Sequence, residues 1–214
     1  YGPRPRNRID LFRCGVSSAP LLVFIHGGYW QHRRQENFSV FAEGPMARGF
    51  DVAMVGYTLA PDVTVTEIVA ETQAARLGVG QGRLIVSGWS AGGHLTAMAM
   101  GMPEVDGGLA ISGLFDLEPC RLNYLNEKLK LTEEEVRRVS PINAVPDRAG
   151  PLAIAYGTAE LPELQRQSQA YGDVWRAAGR DGQTVPMQCD NHFSIMEKLA
   201  DPDGELTTIL TRLV

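Results

Sequence analysis

The sequence feature that most constrains the fold is the segment 88–94, which reads Gly-Trp-Ser-Ala-Gly-Gly-His. A short apolar run precedes it, and residues 95–100, which have a helix-like composition, follow it. This order predicts a strand, a sharp turn and a helix. Because such a turn brings neighbouring backbone close, only small residues fit two positions before and two after the serine, and Gly88 and Gly92 occupy those positions. Ser90 is therefore expected at the tip of a strand-to-helix turn.

The pattern Gly-x-Ser-x-Gly in this setting is typical of the nucleophile elbow of an α/β-hydrolase. The alternative is a glycine-rich turn with an incidental serine, since so short a pattern also occurs by chance. A serine nucleophile needs a base, an acid that orients the base, and hydrogen-bond donors for an oxyanion. The functional interpretation therefore depends on whether the rest of the chain provides these three groups.

Short apolar segments alternate with helix-like segments along most of the chain. Several apolar segments contain no alternating polar residues, which is typical of strands covered on both faces, as in a parallel sheet. The predicted strands are residues 8–12, 20–25, 51–57, 83–87, 107–112, 151–157 and 184–188. The predicted helices are residues 38–48, 66–77, 95–100 and 162–178, with residues 191–214 helical in two pieces. This alternation predicts an α/β fold with a mostly parallel sheet that helices cover on both faces.

The 214 residues are expected to form a single α/β-hydrolase domain, residues 1–214. Within this domain the character of the sequence changes at residues 117–146. Thr132 is a predicted N-cap that three acidic residues follow, and Arg137 and Arg138 favour the end of the same helix because cations stabilise helix C-termini. Since this segment lies between two predicted sheet strands, it is expected to be a small helical, cap-like insertion.

Composition and charge exclude several classes of partner. The formal net charge is −5 and neither sign forms a long run, so nothing favours binding to nucleic acid or to an anionic membrane. No apolar run approaches the roughly 20 residues that span a bilayer, and residues 1–5 do not resemble a signal peptide. The three cysteines lack CxxC spacing and are typical of free thiols in a reducing compartment. A cytoplasmic protein without a nucleic-acid or membrane partner is therefore expected.

The candidate base is found by elimination among the four histidines. In an α/β-hydrolase the acid and the histidine follow the serine along the chain, and only His94 and His192 do so. His94 lies four residues after Ser90 in the predicted elbow helix, so it is expected to pack against the sheet. His192 follows the last predicted strand and is the predicted base, with an uninvolved surface histidine as the alternative.

The candidate acid has three possible identities. Glu160 lies in the loop after the strand at residues 151–157, and one helix and one strand separate it from His192. Glu163 follows Pro162 in the first turn of the next helix, where the helix dipole alone explains an acidic residue. Asp190 is too close to His192 in sequence to come from a strand of its own. Glu160 is therefore favoured as the acid that orients the imidazole, while Glu163 and Asp190 remain open.

Donors for an oxyanion are predicted at two places. Ala91 follows the candidate nucleophile at a helix N-terminus and offers one backbone N–H. The loop at residues 26–30 reads His-Gly-Gly-Tyr-Trp and lies at a strand end about sixty residues before the elbow, as the comparable loop does in lipases. The four histidines have no i, i+4 pairing and no nearby cysteine, so neither a zinc site nor another cofactor is expected.

Together these motifs resemble the kynurenine formamidase (arylformamidase) group of α/β-hydrolases, which is related to the hormone-sensitive-lipase-like esterases. The motifs are His-Gly-Gly-Tyr-Trp-Gln at residues 26–31, Tyr-Thr-Leu-Ala-Pro at 57–61, Ser-Ala-Gly-Gly-His-Leu at 90–95, Gly-Leu-Phe-Asp-Leu at 113–117 and Asn-His-Phe at 191–193. The resemblance implies a triad of Ser90, Glu160 and His192 and oxyanion donors at the N–H groups of Gly28, Tyr29 and Ala91. Two departures are a short helix before residue 78 and a glutamate where aspartate is common.

The resemblance also implies the substrate, a small acyl amide of the N-formylkynurenine type. Aromatic residues flank the predicted catalytic positions and could line a substrate pocket, although rings beside an elbow also pack cores. These residues are Tyr29, Trp30, Trp89 and Phe115. No cationic residue is evidently placed to bind a substrate carboxylate. The alternatives are a short-chain carboxylesterase and a non-catalytic small-molecule-binding pseudo-hydrolase.

Overall fold

The computed structural model describes residues 1–75 and 82–214. Residues 76–81 lie outside the described part, and they include the end of the helix predicted over 66–77. Within the described ranges, no helix combines the length and the apolar character needed to cross a membrane.

The core of the fold is a seven-stranded sheet. Its strands are β1 (Ile9–Phe12), β2 (Leu21–Ile25), β3 (Asp51–Val55), β4 (Leu84–Trp89), β5 (Gly107–Ile111), β6 (Leu152–Gly157) and β7 (Gly182–Met187). They lie in the order β1-β3-β2-β4-β5-β6-β7, and only β1, at one edge, is antiparallel to its neighbour. Every predicted strand is present to within a few residues, and the predicted mostly parallel sheet is confirmed.

Helices cover both faces of this sheet, as predicted. The α-helices are α1 (Glu43–Ala47), α2 (Val65–Ala74), α3 (Ala91–Ala99), α4 (Glu118–Arg121), α5 (Asn126–Leu129), α6 (Glu133–Val139), α7 (Pro162–Ala177), α8 (Glu197–Ala200) and α9 (Glu205–Thr211). Three 3₁₀ helices, Gln35–Ala42, Pro141–Asn143 and Ser194–Met196, add short turns. The helix predicted over 38–48 is therefore a 3₁₀ helix followed by α1.

The apolar strands are explained by two hydrophobic layers, one on each face. In β2, Leu21, Val23 and Ile25 pack into the layer under α2, α3 and α7. Leu22 and Phe24 point the other way, into the layer under α1, α8 and α9. All five side chains are at most 3% exposed. A strand buried on both faces has no position for a polar residue, which is why its sequence shows no alternation.

The segment between β5 and β6 contains α4, α5 and α6. The predicted N-cap is confirmed, because the Thr132 side chain accepts a hydrogen bond from the backbone N–H of Glu135 at 3.1 Å. The Glu135 carboxylate in turn accepts bonds from the N–H and hydroxyl of Thr66 in α2, at 3.1 and 2.9 Å. Leu129 and Val136 are buried in the layer that α2 and α3 share. Apolar packing and these polar contacts hold the segment against the main body.

The parallel arrangement brings six loops to one edge of the sheet, and the loop after β3 is one of them. Strands β2, β4, β5, β6 and β7 all end at this edge, and the registers Ile25↔Gly88, Trp89↔Ile111 and Gly157↔Met187 keep their ends level. The residues that follow these strands are therefore neighbours in space, although more than 160 positions separate the first loop from the last. Ser90, Glu160 and His192 each lie in one of these loops.

Candidate active site

The backbone at Ser90 makes the sharp turn that the sequence predicts. Ser90 has φ 58° and ψ −117° and precedes the first residue of α3. A Cβ at Gly88 would clash with the backbone of Gly92, and a Cβ at Gly92 would clash with the carbonyl oxygen of Ile25. The close approach of these backbone segments therefore explains both glycines. A non-glycine residue with positive φ at a site of this kind is a strained conformation that the surrounding structure maintains.

Ser90 lines a cavity of about 450 Å³. The other lining residues are Gly28, Tyr29, His32, Arg33, Trp89, His192 and Phe193. The structure thus brings Ser90 and His192 to one cavity, although no hydrogen bond joins the hydroxyl to the imidazole. Catalytic hydrogen bonds of this kind are often long in a ligand-free enzyme and tighten when substrate binds.

Glu160 lies directly behind His192. Its side chain is fully buried, and its Oε2 atom lies 3.5 Å from Nδ1 of His192. The other carboxylate oxygen, Oε1, accepts hydrogen bonds from the hydroxyl of Ser112 at 2.5 Å and from the N–H of Gly157 at 2.9 Å. Neither Oε2 nor Nδ1 has a hydrogen-bond partner elsewhere in the described part of the chain. The carboxylate is therefore held at one oxygen and points the other at the imidazole.

The two rival acids have other partners. Glu163 forms an ion pair with Arg166 at 2.6 Å and accepts a hydrogen bond from Gln167 at 2.9 Å. Asp190 accepts a hydrogen bond from the hydroxyl of Ser194 at 3.0 Å and lies 3.5 Å from the ammonium group of Lys198. Of the three candidates, only Glu160 has a carboxylate oxygen within 4 Å of a ring nitrogen of His192. Sequence spacing alone had left this choice open.

The loop after β2 folds back on itself beside Ser90. The carbonyl oxygen of Gly28 accepts hydrogen bonds from the N–H groups of Gln31 and His32, both at 3.0 Å. Gly28 has φ 117°, and a Cβ there would clash with the carbonyl oxygen of His32, so this position requires glycine. In the described ranges, the N–H groups of Gly28 and Tyr29 donate to no protein acceptor. They are thus free to donate to a ligand in the cavity.

The buried histidines His26 and His94 have structural contacts. His26 stacks on Tyr57 with ring centroids 4.3 Å apart, and burial lowers its pKa to about 4. His94 was expected to pack against the sheet. It is fully buried in α3, its Nε2 atom lies 2.7 Å from the carbonyl oxygen of Val139 in α6, and its ring contacts Trp30. Burial lowers the pKa of His94 to about 4 as well, so both rings are neutral at pH 7.

The expectation that Trp30 and Phe115 line the substrate pocket is corrected by the structure. Both side chains are fully buried and belong to the core layer under α3 and α7. Phe115 stacks on Tyr171, with ring centroids 4.6 Å apart. Trp89 does line the cavity, as does Tyr29, which is 38% exposed. The choice between core and pocket was open because a ring next to a catalytic loop in sequence can point to either side of it.

The structure gives three aromatic and polar residues contacts that the sequence did not predict. Phe193 lines the cavity and is 67% exposed. The indole N–H of Trp89 donates to the carbonyl oxygen of His192 at 2.7 Å, which ties the loop after β7 to the elbow. Ser112 anchors Glu160, and its signal in the sequence is a polar residue directly after a buried strand. In the described ranges, no group of three histidine, cysteine, aspartate or glutamate side chains could hold a metal ion.

Comparisons with known proteins show which family and which relatives this chain is similar to. A family model described as BD-FAE matches residues 10–109. The chain is 30% identical to the kynurenine formamidase of Danio rerio over 234 residues, which cover 100% of this chain and 80% of that protein.

Two solved structures that superpose on this chain are described as a thioesterase and an esterase. A crystal structure from Silicibacter sp. TM1040, provisionally described as a thioesterase, superposes with a TM-score of 0.90 at 30% identity and covers 98% of this chain and 82% of that one. The butyrate-bound esterase Est2 of Thermogutta terrifontis superposes with a TM-score of 0.74 at 21% identity, with coverage of 94% and 88%. Because the identity to Est2 is low, this second similarity shows a shared fold only.

Proposed function

Since this chain belongs to the kynurenine formamidase family of α/β-hydrolases and is a hydrolase of esters or amides, we propose that it cleaves aryl formamides. The proposed reaction is that of a serine hydrolase and proceeds through an acyl-enzyme. In this proposal Ser90 is the nucleophile, His192 the general base and acid, and Glu160 the residue that orients His192. The observation that carries the proposal is the alignment of the buried Glu160 carboxylate on Nδ1 of His192, beside a cavity that Ser90 also lines.

The proposed reaction begins with attack of Ser90 Oγ on the carbonyl carbon of the substrate. His192 Nε2 takes the hydroxyl proton as the new C–O bond forms, and the carbonyl oxygen becomes an oxyanion. The resulting imidazolium is stabilised by the Glu160 carboxylate, which also keeps the proton on Nδ1 before the reaction starts. The contacts of Glu160 with Ser112 and Gly157 support this role, because they leave the carboxylate little freedom to turn away.

The oxyanion is assigned to the N–H groups of Gly28, Tyr29 and Ala91. Ala91 is the first residue of α3, where the N–H has no acceptor within the helix. Such preorganised donors act where charge develops, and loss of one typically costs about 3 kcal/mol of barrier.

Collapse of the tetrahedral intermediate expels the arylamine, to which His192 returns the proton. Ser90 then carries a formyl ester. His192 deprotonates a water molecule, which attacks this ester, and formate leaves as Ser90 recovers its proton.

The contact between the loop after β2 and the segment 117–146 supports a cap-like role for that segment, and the free cysteines support the proposed compartment. Gln31 donates from its side-chain amide to the carbonyl oxygen of Leu125 at 3.0 Å, which connects the loop after β2 to the segment 117–146. We assign that segment a small cap-like role next to the cavity.

Cys14, Cys120 and Cys189 are free, which supports a reducing compartment such as the cytoplasm.

The substrate class is tested by turnover of N-formylkynurenine and p-nitrophenyl acetate side by side. We expect the formamide to have the higher kcat/KM, by about tenfold or more. A clear preference for the ester would replace the formamidase assignment with a short-chain carboxylesterase. If neither substrate is hydrolysed and a fluorophosphonate probe leaves Ser90 unmodified, the chain is a binding protein of the same fold.

The bond between Trp89 and the His192 loop gives a further prediction. Trp89→Phe keeps an aromatic ring but removes the indole N–H that holds the carbonyl oxygen of His192. We expect kcat to fall about tenfold, because a loosened loop positions the base less precisely. Steady-state kinetics with the preferred substrate measure this loss.

Trp175→Phe is the matched control. Trp175 donates the same kind of bond, to the carbonyl oxygen of Asp181 at 2.7 Å, and does not line the cavity. Both substitutions are expected to lower the free energy of unfolding by about 1 kcal/mol, as urea denaturation would report. An equal loss of kcat in the two variants would show that the Trp89 bond has no specific role in positioning His192.

A further inference from the structure

One edge of the cavity that contains Ser90 carries positive charge. Arg33 and His32 line the cavity together with the aromatic residues Tyr29, Trp89 and Phe193. The sequence alone placed no cation at this position, because Arg33 lies beyond the conspicuous loop motif and its direction depends on how that loop turns.

The Arg33 guanidinium is available to a ligand. Its side chain is exposed, and within the described ranges it forms no ion pair with a carboxylate. By contrast, Arg4, Arg13 and Arg48 each pair with an acidic side chain. An arginine at a cavity mouth that has no internal partner retains its full capacity to bind an anion from solution.

The backbone of Arg33 is held in place. Arg33 has φ 78°, a conformation uncommon for a residue with a side chain. Arg6 donates hydrogen bonds to the carbonyl oxygens of Arg33 and Tyr57, the latter at 2.9 Å. The loop that carries Arg33 is thus tied to the neighbouring loop after β3. The fold therefore fixes the backbone from which the Arg33 side chain extends.

The net charge of the chain and the charge of the cavity lining both bear on how Arg33 acts on an anionic substrate. The chain has a formal net charge of −5, so on average it repels an anionic substrate. None of the residues that line the cavity is acidic, and the Glu160 carboxylate is fully buried behind His192. Arg33 therefore gives the cavity lining a permanent positive charge on an acidic protein.

From these observations we infer that Arg33 is a specificity-determining residue that binds an anionic group, a carboxylate, on an aromatic acyl substrate. The aromatic part lies against Trp89, Tyr29 and Phe193, and the carboxylate reaches the guanidinium at the cavity mouth. This inference rests on the proposed function, since it assumes that the cavity at Ser90 binds the substrate. It adds the charge of the preferred substrate and the residue that recognises it.

The test compares two formamides that differ in charge at one position, 3-(2-formamidophenyl)propanoate and its neutral propanamide analogue. For the unmodified protein we expect kcat/KM to be about tenfold higher for the carboxylate. Arg33→Gln is expected to lower this ratio about tenfold, and Arg33→Lys to keep most of it because the charge remains. Added salt should reduce the ratio in the unmodified protein.

Arg34→Gln is the matched control. Arg34 is the adjacent arginine, is also exposed, and lines a different cavity with Arg6 and Arg8. We expect it to leave the ratio within about twofold of its original value. An Arg33→Gln ratio that stays unchanged, or a fall as large in Arg34→Gln, would overturn the assignment to Arg33.

The experiment distinguishes failure of the Arg33 inference from failure of the proposed function. Hydrolysis of the neutral formamide with a ratio that is insensitive to Arg33 contradicts only this inference. Failure to hydrolyse either formamide contradicts the formamidase proposal, and the same ratio is then measured with 3-(2-acetoxyphenyl)propanoate and its propanamide. Dependence of that ratio on Arg33 would support the charge recognition for an esterase, and independence would refute it.

Discussion

Ser90→Ala is expected to lower kcat about a million-fold, which leaves a residual rate about a thousand-fold above that of the reaction without the enzyme. The substitution removes the atom that forms the acyl-enzyme, whereas the cavity and the donors of the oxyanion site remain. It also leaves the buried contacts of the elbow unchanged, so the free energy of unfolding should stay within about 1 kcal/mol. Turnover of the preferred substrate and labelling by a fluorophosphonate probe, located by mass spectrometry, measure the effect.

Ser87→Ala is the control for this variant. Ser87 lies three residues earlier in β4, is fully buried, and donates its hydroxyl hydrogen bond to the carbonyl oxygen of Leu109 at 2.8 Å. Its loss should cost about 1 kcal/mol of stability but leave kcat and probe labelling in place. Activity or labelling that persists in Ser90→Ala would exclude Ser90 as the nucleophile.

Glu160→Gln is expected to lower kcat about ten thousand-fold. The amide is similar in size, but it cannot stabilise the imidazolium, and its NH₂ group favours the tautomer that has the proton on the wrong ring nitrogen of His192. The contact of 3.5 Å between Oε2 and Nδ1 is the physical basis for this expectation. Single-turnover and steady-state kinetics should show the loss in kcat with a smaller change in KM.

Two variants test whether Glu160 is the only acid that matters. Glu163→Gln and Asp190→Asn remove the other two carboxylates that sequence spacing had allowed. Glu163 pairs with Arg166, and Asp190 contacts Ser194 and Lys198, so each substitution should change kcat by less than about tenfold. A loss in either variant as large as that in Glu160→Gln would move the role of the acid to that residue.

Local patterns were sufficient to predict the architecture. The continuous apolar character of β2 indicates burial on both faces, and the structure confirms it with two separate core layers. The glycines around Ser90 predict a turn in which backbone segments nearly touch, and the structure shows the clashes that a Cβ would cause. These predictions succeed because strand burial and turn geometry depend on residues that are adjacent along the chain.

Long-range contacts were harder to predict. Trp30 ends the predicted oxyanion loop and Phe115 follows β5, yet both rings are buried in the core. Ser112 follows a buried strand and Phe193 belongs to the Asn-His-Phe motif, but neither pattern predicted that one anchors Glu160 and the other lines the cavity. Where a side chain points from a loop depends on the backbone angles of that loop and on what packs against it, and neither has a simple period in sequence.

The sequence by itself determined the alternation of strands and helices, the strained turn at Ser90 and the order of the groups that follow it. Only the tertiary structure decided that Glu160, among three acids, lies against His192, and that Arg33 lies at the edge of the cavity. The physical reason is the separation along the chain of the residues that interact. Periodicity and steric limits act between near neighbours in the chain, whereas an ion pair or a cavity wall is formed by residues that parallel strands bring together from distant segments.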